Sequence, residues 1–144
     1  MAPGSIGVVV DSSVCIKWFC LEEETDKALF LRESYIKGTK ILAIPDLILY
    51  EVAYALRHNK KVQEHDVQEA VESMFKLGVD IIVPTTEMLN SAITLAFAFN
   101  ITVYDAVFLA LADILSFECI TADEKLYQKT KTLGYIRKLE DITL

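Results

Sequence analysis

The run Gly7-Val8-Val9-Val10 stops abruptly at Asp11-Ser12-Ser13, and this junction constrains the fold more than any other stretch of the chain. Three consecutive β-branched residues with no polar partner on either side of the pleat fit a strand buried on both faces. Strands of that kind belong to parallel sheets covered by helices, and the rest of the chain repeats the pattern. Short runs at 40–44, 80–83 and 118–121 read as further strands, and a last one follows Gly134 at about 135–138. Between them, helical patterns cover about 13–20, 22–37, 46–59, 64–76, 85–100, 104–116 and 123–133, with Gly38, Gly78 and Gly134 as stops. Strands alternating with helices imply right-handed crossovers. The expectation is a three-layer α/β/α fold with a central parallel sheet of about five strands, built as a single domain over 1–144. Ligands in such folds bind outside the carboxyl ends of the strands, where the strand order reverses.

Composition narrows the function classes. Of 144 residues, 53% are hydrophobic and only 5 are Gly and 3 Pro, which excludes a disordered chain. The 14 basic and 21 acidic side chains leave a net charge of -7. That balance argues against holding duplex DNA or a membrane surface by bulk electrostatics. Cys15, Cys20 and Cys119 form no CxxC pair, and neither His58 nor His65 stands at zinc-like spacing from them. Reduced, mostly buried thiols in a cytoplasmic protein are expected. The opening residues lack the basic and apolar regions of a signal peptide. The apolar stretch 93–117 is interrupted by Asn100, Asp105 and Asp113, so it reads as two buried helices with a break near Asn100 rather than a membrane span.

Four acids stand where solvation does not explain them. Asp11 follows the first strand and Asp123 follows Ile120-Thr121 at the end of a later one. Glu51 is the only charge in 47–56, and Asp105 the only charge in 101–112. Each has an ordinary reading: Asp11 or Asp123 as a helix N-cap, Asp105 as the cap of a helix starting near Ala106, Glu51 as a helix flank facing water. Together they have a chemical one. A carboxylate in apolar surroundings is costly unless a positive charge pairs with it, and converging carboxylates repel unless a hard divalent cation joins them. Mg²⁺ or Mn²⁺ suits such an all-oxygen site, and two such ions support phosphodiester hydrolysis with no nucleophile from the protein.

The motifs around these acids resemble those of the PIN-domain ribonucleases, and within them the VapC-like toxins of prokaryotic toxin–antitoxin modules. Asp11-Ser12-Ser13 with the following 14–19 is similar to the family's opening motif, and 45–57 to the segment that carries its glutamate, here Glu51. Tyr104-Asp105-Ala106 with 107–112 resembles its most recognisable motif, and Thr121-Ala122-Asp123-Glu124 its last. The resemblance implies a PIN fold and a metal-dependent ribonuclease acting on single-stranded RNA. It also implies that Asp11, Glu51, Asp105 and Asp123 hold the metal, with the hydroxyls of Ser12 and Thr121 in support; Thr121 equally reads as the β-branched end of a strand. A homodimer and a cognate antitoxin partner are implied in the same way.

Cations near these elements are candidate phosphate contacts, Lys17 and Arg57 first, then His58, Lys60 and Lys61, and Lys125, Lys129 and Lys131 on the last helix. Trp18, Tyr50 and Tyr54 are of a type that stacks on bases, and equally of a type found in cores and dimer contacts. His58 and His65 read as surface residues. Two other functions compete: a non-catalytic module that binds protein or RNA, and a phospho-acceptor signalling domain. The second fits poorly, since Ser12 and Ser13 follow Asp11 where a paired acid is wanted. Four of the seven excess negative charges are the four acids themselves, so the acidity excludes a broad basic groove without excluding RNA engaged through a metal.

Overall fold

Each apolar run forms a strand. The computed structural model describes residues 6–144, and the signal-peptide reading of the opening residues falls largely outside them. Strand β1 (Ile6–Val10) lies between β2 (Lys40–Pro45) and β4 (Glu118–Thr121), parallel to both, with Val8 in register with Leu42 on one side and Glu118 on the other. Strand β3 (Asp80–Ile82) adds outside β2 and β5 (Ile136–Lys138) outside β4, giving the order β3-β2-β1-β4-β5 with every pair parallel. Val8, Val9 and Val10 are at most 2% exposed, as burial on both faces demands.

The sheet grows outward from β1 to β3 and then restarts in the other direction from β4 to β5. Right-handed crossovers therefore place α1 (Ser12–Cys15), α2 (Thr25–Ile36), α3 (Leu47–Arg57) and α4 (Glu64–Lys76) on one face. They place α5 (Thr86–Phe99), α6 (Val103–Leu115) and α7 (Glu124–Thr130) on the other. Helix α6 packs across β1, β2 and β4 and against α5, and every residue of 106–112 is buried. A helix so enclosed must be apolar all round, which its sequence is. Phe108, Leu31, Leu42, Ile44 and Ile48 are among the fully buried large side chains, each worth roughly 1.5–3 kcal/mol of transfer free energy.

Three expectations need correction. The segment 13–20 is not one helix: α1 runs into a 3-10 turn at Ile16–Trp18, and Trp18 is buried with its indole N–H donating to the Ala28 carbonyl at 2.9 Å. The second helix starts at Thr25 rather than 22, because Glu24 takes the left-handed conformation and the Thr25 hydroxyl accepts from the Glu22 amide while donating to the Cys20 carbonyl. The stretch 93–117 does break at Asn100, left-handed at φ 53, and the two helices are bent by 119°. Only α6 is deeply buried, however; α5 leaves Leu89, Ile93 and Phe97 exposed along one face. Among the described residues no single helix is long and apolar enough to cross a membrane.

Candidate active site

The order reverses between β1 and β4, so their carboxyl ends are the place to look for chemistry. Both ends carry an acid. Asp11 leaves β1, its amide donating across to the Ile120 carbonyl at 3.2 Å, and its side chain caps α1 by accepting from the Val14 amide at 3.3 Å. Asp123 leaves β4 and caps α7 through the Leu126 amide at 3.0 Å. The capping readings of these two residues are therefore correct. They do not compete with a chemical one, because each cap uses only part of a carboxylate's acceptor capacity.

Two hydroxyls join the strand ends. Ser13 Oγ donates to Asp11 Oδ1 at 2.5 Å, and Thr121 Oγ1 donates to Oδ2 at 2.5 Å. Each hydroxyl also accepts a backbone amide from the loop after β4: Ala122 to Ser13 at 2.9 Å and Asp123 to Thr121 at 3.0 Å. Asp11 Oδ1 thus accepts two bonds and Oδ2 one, which leaves an acceptor position on Oδ2. Thr121 is fully buried and ties Asp11 to the turn bearing Asp123. Ser13 does the same from the other side, and sequence reasoning had singled out its neighbour Ser12 instead. Ser12 belongs to another part of the site, beside Glu51.

Glu51 and Asp105 complete the group from opposite faces of the sheet. Glu51 is on α3, half-buried, and its Oε1 is sealed from solvent without a hydrogen-bond partner. Asp105 is in the first turn of α6. That helix starts at Val103 and is capped by Thr102, whose hydroxyl accepts from the Asp105 amide at 3.0 Å, so Asp105 is not the cap. Burial pushes the Asp11 carboxyl up to about 6, against hydrogen bonds from Ser13, Thr121 and Val14, with the Asp105 charge adding to the rise. Burial pushes Glu51 up to about 7; the Ser12 hydroxyl opposes this, and the charges of Asp105 and Asp11 reinforce it. Asp105 is raised by burial and by Asp123, with Thr102 and Lys129 pulling back. Asp11, Glu51 and Asp105 therefore share one electrostatic field in which added negative charge is resisted, and the charge of Asp123 contributes to it at Asp105.

A divalent cation is the group such a field would accept, and the donor set fits one: oxygens only, one of them an orphaned buried carboxylate oxygen. Among the described residues, no three His, Cys, Asp or Glu side chains are already drawn together tightly enough to grip one ion, so binding would have to draw the carboxylates inward. The thiols stand apart from this chemistry. Cys15 and Cys119 are buried, free, and raised by desolvation, which makes them inert.

The structure does not bring both favoured cations to the acids. Lys17 is ion-paired to Glu22 at 3.2 Å and lines a groove that also includes Thr121 and Ala122. Arg57 lies at the far end of α3 in a separate depression with Val62 and Val67. Six residues past Glu51 along a helix is about 240° around its axis, so closeness in sequence misleads here. Lys129 is the cation that acts on Asp105, its ammonium anchored to the Asn100 carbonyl at 2.9 Å.

A parallel five-stranded sheet with acids gathered at the β1–β4 switch point is an arrangement with known relatives. The chain belongs to the PIN domain family, whose model matches residues 8–131. It is 29% identical over 130 residues to ribonuclease VapC3 of Pyrobaculum aerophilum, a match spanning 88% of this chain and 96% of that protein. Its fold is shared with a toxin–antitoxin complex from Klebsiella pneumoniae, at TM-score 0.68 and 18% identity over 94% of this chain and 99% of that one. It is shared as well with VapC20 of Mycobacterium tuberculosis, a sarcin–ricin loop cleaving toxin, at TM-score 0.67 and 13% identity over 89% and 95%.

Proposed function

We propose that this chain is a Mg²⁺- or Mn²⁺-dependent endoribonuclease that hydrolyses phosphodiester bonds of single-stranded RNA, acting in the cytoplasm as the toxin of a toxin–antitoxin pair. The observation that carries the reading is the orphaned, buried oxygen of Glu51, repelled by Asp105 and Asp11, with Asp123 repelling Asp105 in turn. In this reading Asp11, Glu51, Asp105 and Asp123 are the metal ligands. Bound there, a divalent cation supplies activation of water and stabilisation of the leaving oxygen. The chain's own contribution is positional. Thr121 and Ser13 hold Asp11 in one orientation and lock the loop carrying Asp123 to it, so two ligands from strands far apart in sequence move as one unit. Thr102 fixes the first turn of α6 and with it Asp105. Ser12 stands in support of Glu51, and Lys17 and Lys129 are the cations placed to meet phosphates flanking the cleaved bond.

Its nuclease relative and its likeness to a toxin–antitoxin complex support the antitoxin partner. The apolar stripe Leu89, Ile93 and Phe97 on α5, exposed 38%, 43% and 86% at a spacing of four, supports a homodimer formed by a second copy covering this face. Three free thiols suit the cytoplasm. The test is cleavage of unstructured single-stranded RNA by the wild type, Asp11→Asn and Asp105→Asn, with Mn²⁺ or with EDTA. Cleavage by the wild type with Mn²⁺ alone is expected. Full activity in EDTA or in both variants sinks the site assignment, and metal-independent RNA binding without cleavage would return the chain to the non-catalytic module.

A further inference from the structure

Beside Glu51 the surface opens into a cavity of about 570 Å³ between α3 and α6, lined by Ser12, Leu47, Tyr50, Tyr54, Ala55 and Tyr104 among others. Its three tyrosines are unusual. Tyr50, Tyr54 and Tyr104 are 74%, 69% and 63% exposed, although an aromatic ring gains by leaving water, and all three face one concavity rather than being scattered. Two of them, Tyr50 and Tyr54, are four residues apart on one side of α3, and the third immediately precedes Asp105. Tyr54 is also braced: the His58 ring lies 4.3 Å from it, and His58 Nδ1 meets the Tyr54 carbonyl at 2.8 Å. An exposed aromatic wall with one ring braced by its neighbour is a feature of recognition rather than of folding.

We propose that this cavity is a nucleobase subsite, in which an unpaired base next to the scissile phosphate stacks on Tyr54 and its neighbours Tyr50 and Tyr104. The proposal rests on the ribonuclease reading above and names where that substrate's base goes. Connectivity carries it: Glu51 and Ser12 belong both to the cavity wall and to the acid group, so a phosphodiester at the acids leaves its adjoining nucleoside within one residue's reach of the rings. Charge selects the base over the phosphate, because the only charged residue in the wall is Glu51. Stacking uses the π-face that every base has, so the subsite senses the presence of a base more than its identity.

Steady-state cleavage and anisotropy titration of a fluorescein-labelled single-stranded RNA, both with Mn²⁺, test this on the full chain. Tyr54→Ala is expected to raise KM and Kd by on the order of 5- to 150-fold while leaving kcat nearly unchanged, the range that loss of one base–aromatic stack implies. Tyr54→Phe should restore both constants, since it keeps the ring. An RNA with an abasic residue beside the cleaved bond should bind the wild type as weakly as the intact RNA binds Tyr54→Ala, and the variant should weaken it no further. Unchanged KM and Kd in both Tyr50→Ala and Tyr54→Ala, with RNA still cleaved, overturn the subsite and leave the nuclease standing. Loss of dimer in sedimentation with RNA affinity intact overturns it in favour of a contact between copies. A wild type that neither binds nor cleaves RNA overturns both readings together.

Discussion

Replacing Asp11 by asparagine is expected to stabilise the metal-free protein at neutral pH while abolishing the proposed activity, and the size of the effect follows from one residue. Asp11 is 5% exposed and its carboxyl is pushed up to about 6 from an ordinary 3.8. Between those values the folded chain holds a proton that the unfolded chain has released. Stability therefore falls as pH rises through this window, the reverse of the usual salt-bridged aspartate. A rise of that size removes roughly 2 to 3 kcal/mol between about pH 4 and about pH 7.5. Asparagine carries no such term. Its Oδ1 can still accept from Ser13 and Val14, but an N–H now meets Thr121, whose proton must turn toward Ser13 Oγ 3.4 Å away, at a cost of about 1 kcal/mol. The clean observable is the difference between two proteins. Urea unfolding with EDTA, at about pH 4 and about pH 7.5, should show the variant gaining roughly 2 to 3 kcal/mol on the wild type over that interval. Parallel pH profiles for the two proteins would refute the claim that Asp11 is held against its charge.

Other expectations follow from the same geometry. Mn²⁺ at about a hundredfold its Kd should stabilise the wild type by about 2.7 kcal/mol, read as a thermal shift, and should do markedly less for Glu51→Gln; equal shifts would remove Glu51 from the ligand set. Ser13→Ala cuts the bonds to Asp11 and to the Ala122 amide and should cost about 1–3 kcal/mol in denaturant unfolding, whereas Ser12→Ala, which touches neither, should cost less. A Cβ at Gly7 would lie 2.2 Å from the Phe117 ring, so Gly7→Ala should destabilise by about 1–3 kcal/mol; a neutral result would mean the ring swings away freely. The proposed dimer through the exposed stripe of α5 predicts that the wild type sediments as a dimer and Phe97→Asp as a monomer at the same concentration; equal sedimentation of the two would refute that face.

The strands were legible because they obey a rule that acts locally. An apolar run bounded by Gly, Pro or Asp has little choice, and Val8-Val9-Val10, set between Gly7 and Asp11, lies wholly within β1. The acids were legible for a related reason: a charge inside 47–56 or 101–112 has to be accounted for by something outside its own element. What stayed hidden depends on direction rather than pattern. Ser12 and Ser13 are adjacent on one short helix, about 100° apart, and which of them faces Thr121 is decided by how Asp11 caps that helix. Thr102 is itself of the polar type that caps helices, and because that signal lies outside the apolar pattern, α6 starts one residue before the pattern suggests. The groove cations followed sequence distance, and the distance that matters is the angle around α3.

The tie between Asp11 and Thr121 spans 110 residues of chain. During synthesis β1 can pair with β2, and β2 with β3, long before β4 leaves the ribosome, yet one side of β1 stays bare until residues 118–121 arrive. Until then Asp11 has the Ser13 hydroxyl but lacks that of Thr121 and the turn that carries Asp123. A chain arrested before β4 would carry three of the four acids, Asp11, Glu51 and Asp105, and no tie between strand ends, and pulse proteolysis of such arrested chains should find the first loop unprotected. Late closure of this kind means that the acid group is assembled only once residues 118–123 are in place, so a chain lacking them has no joined strand ends on which the group could form.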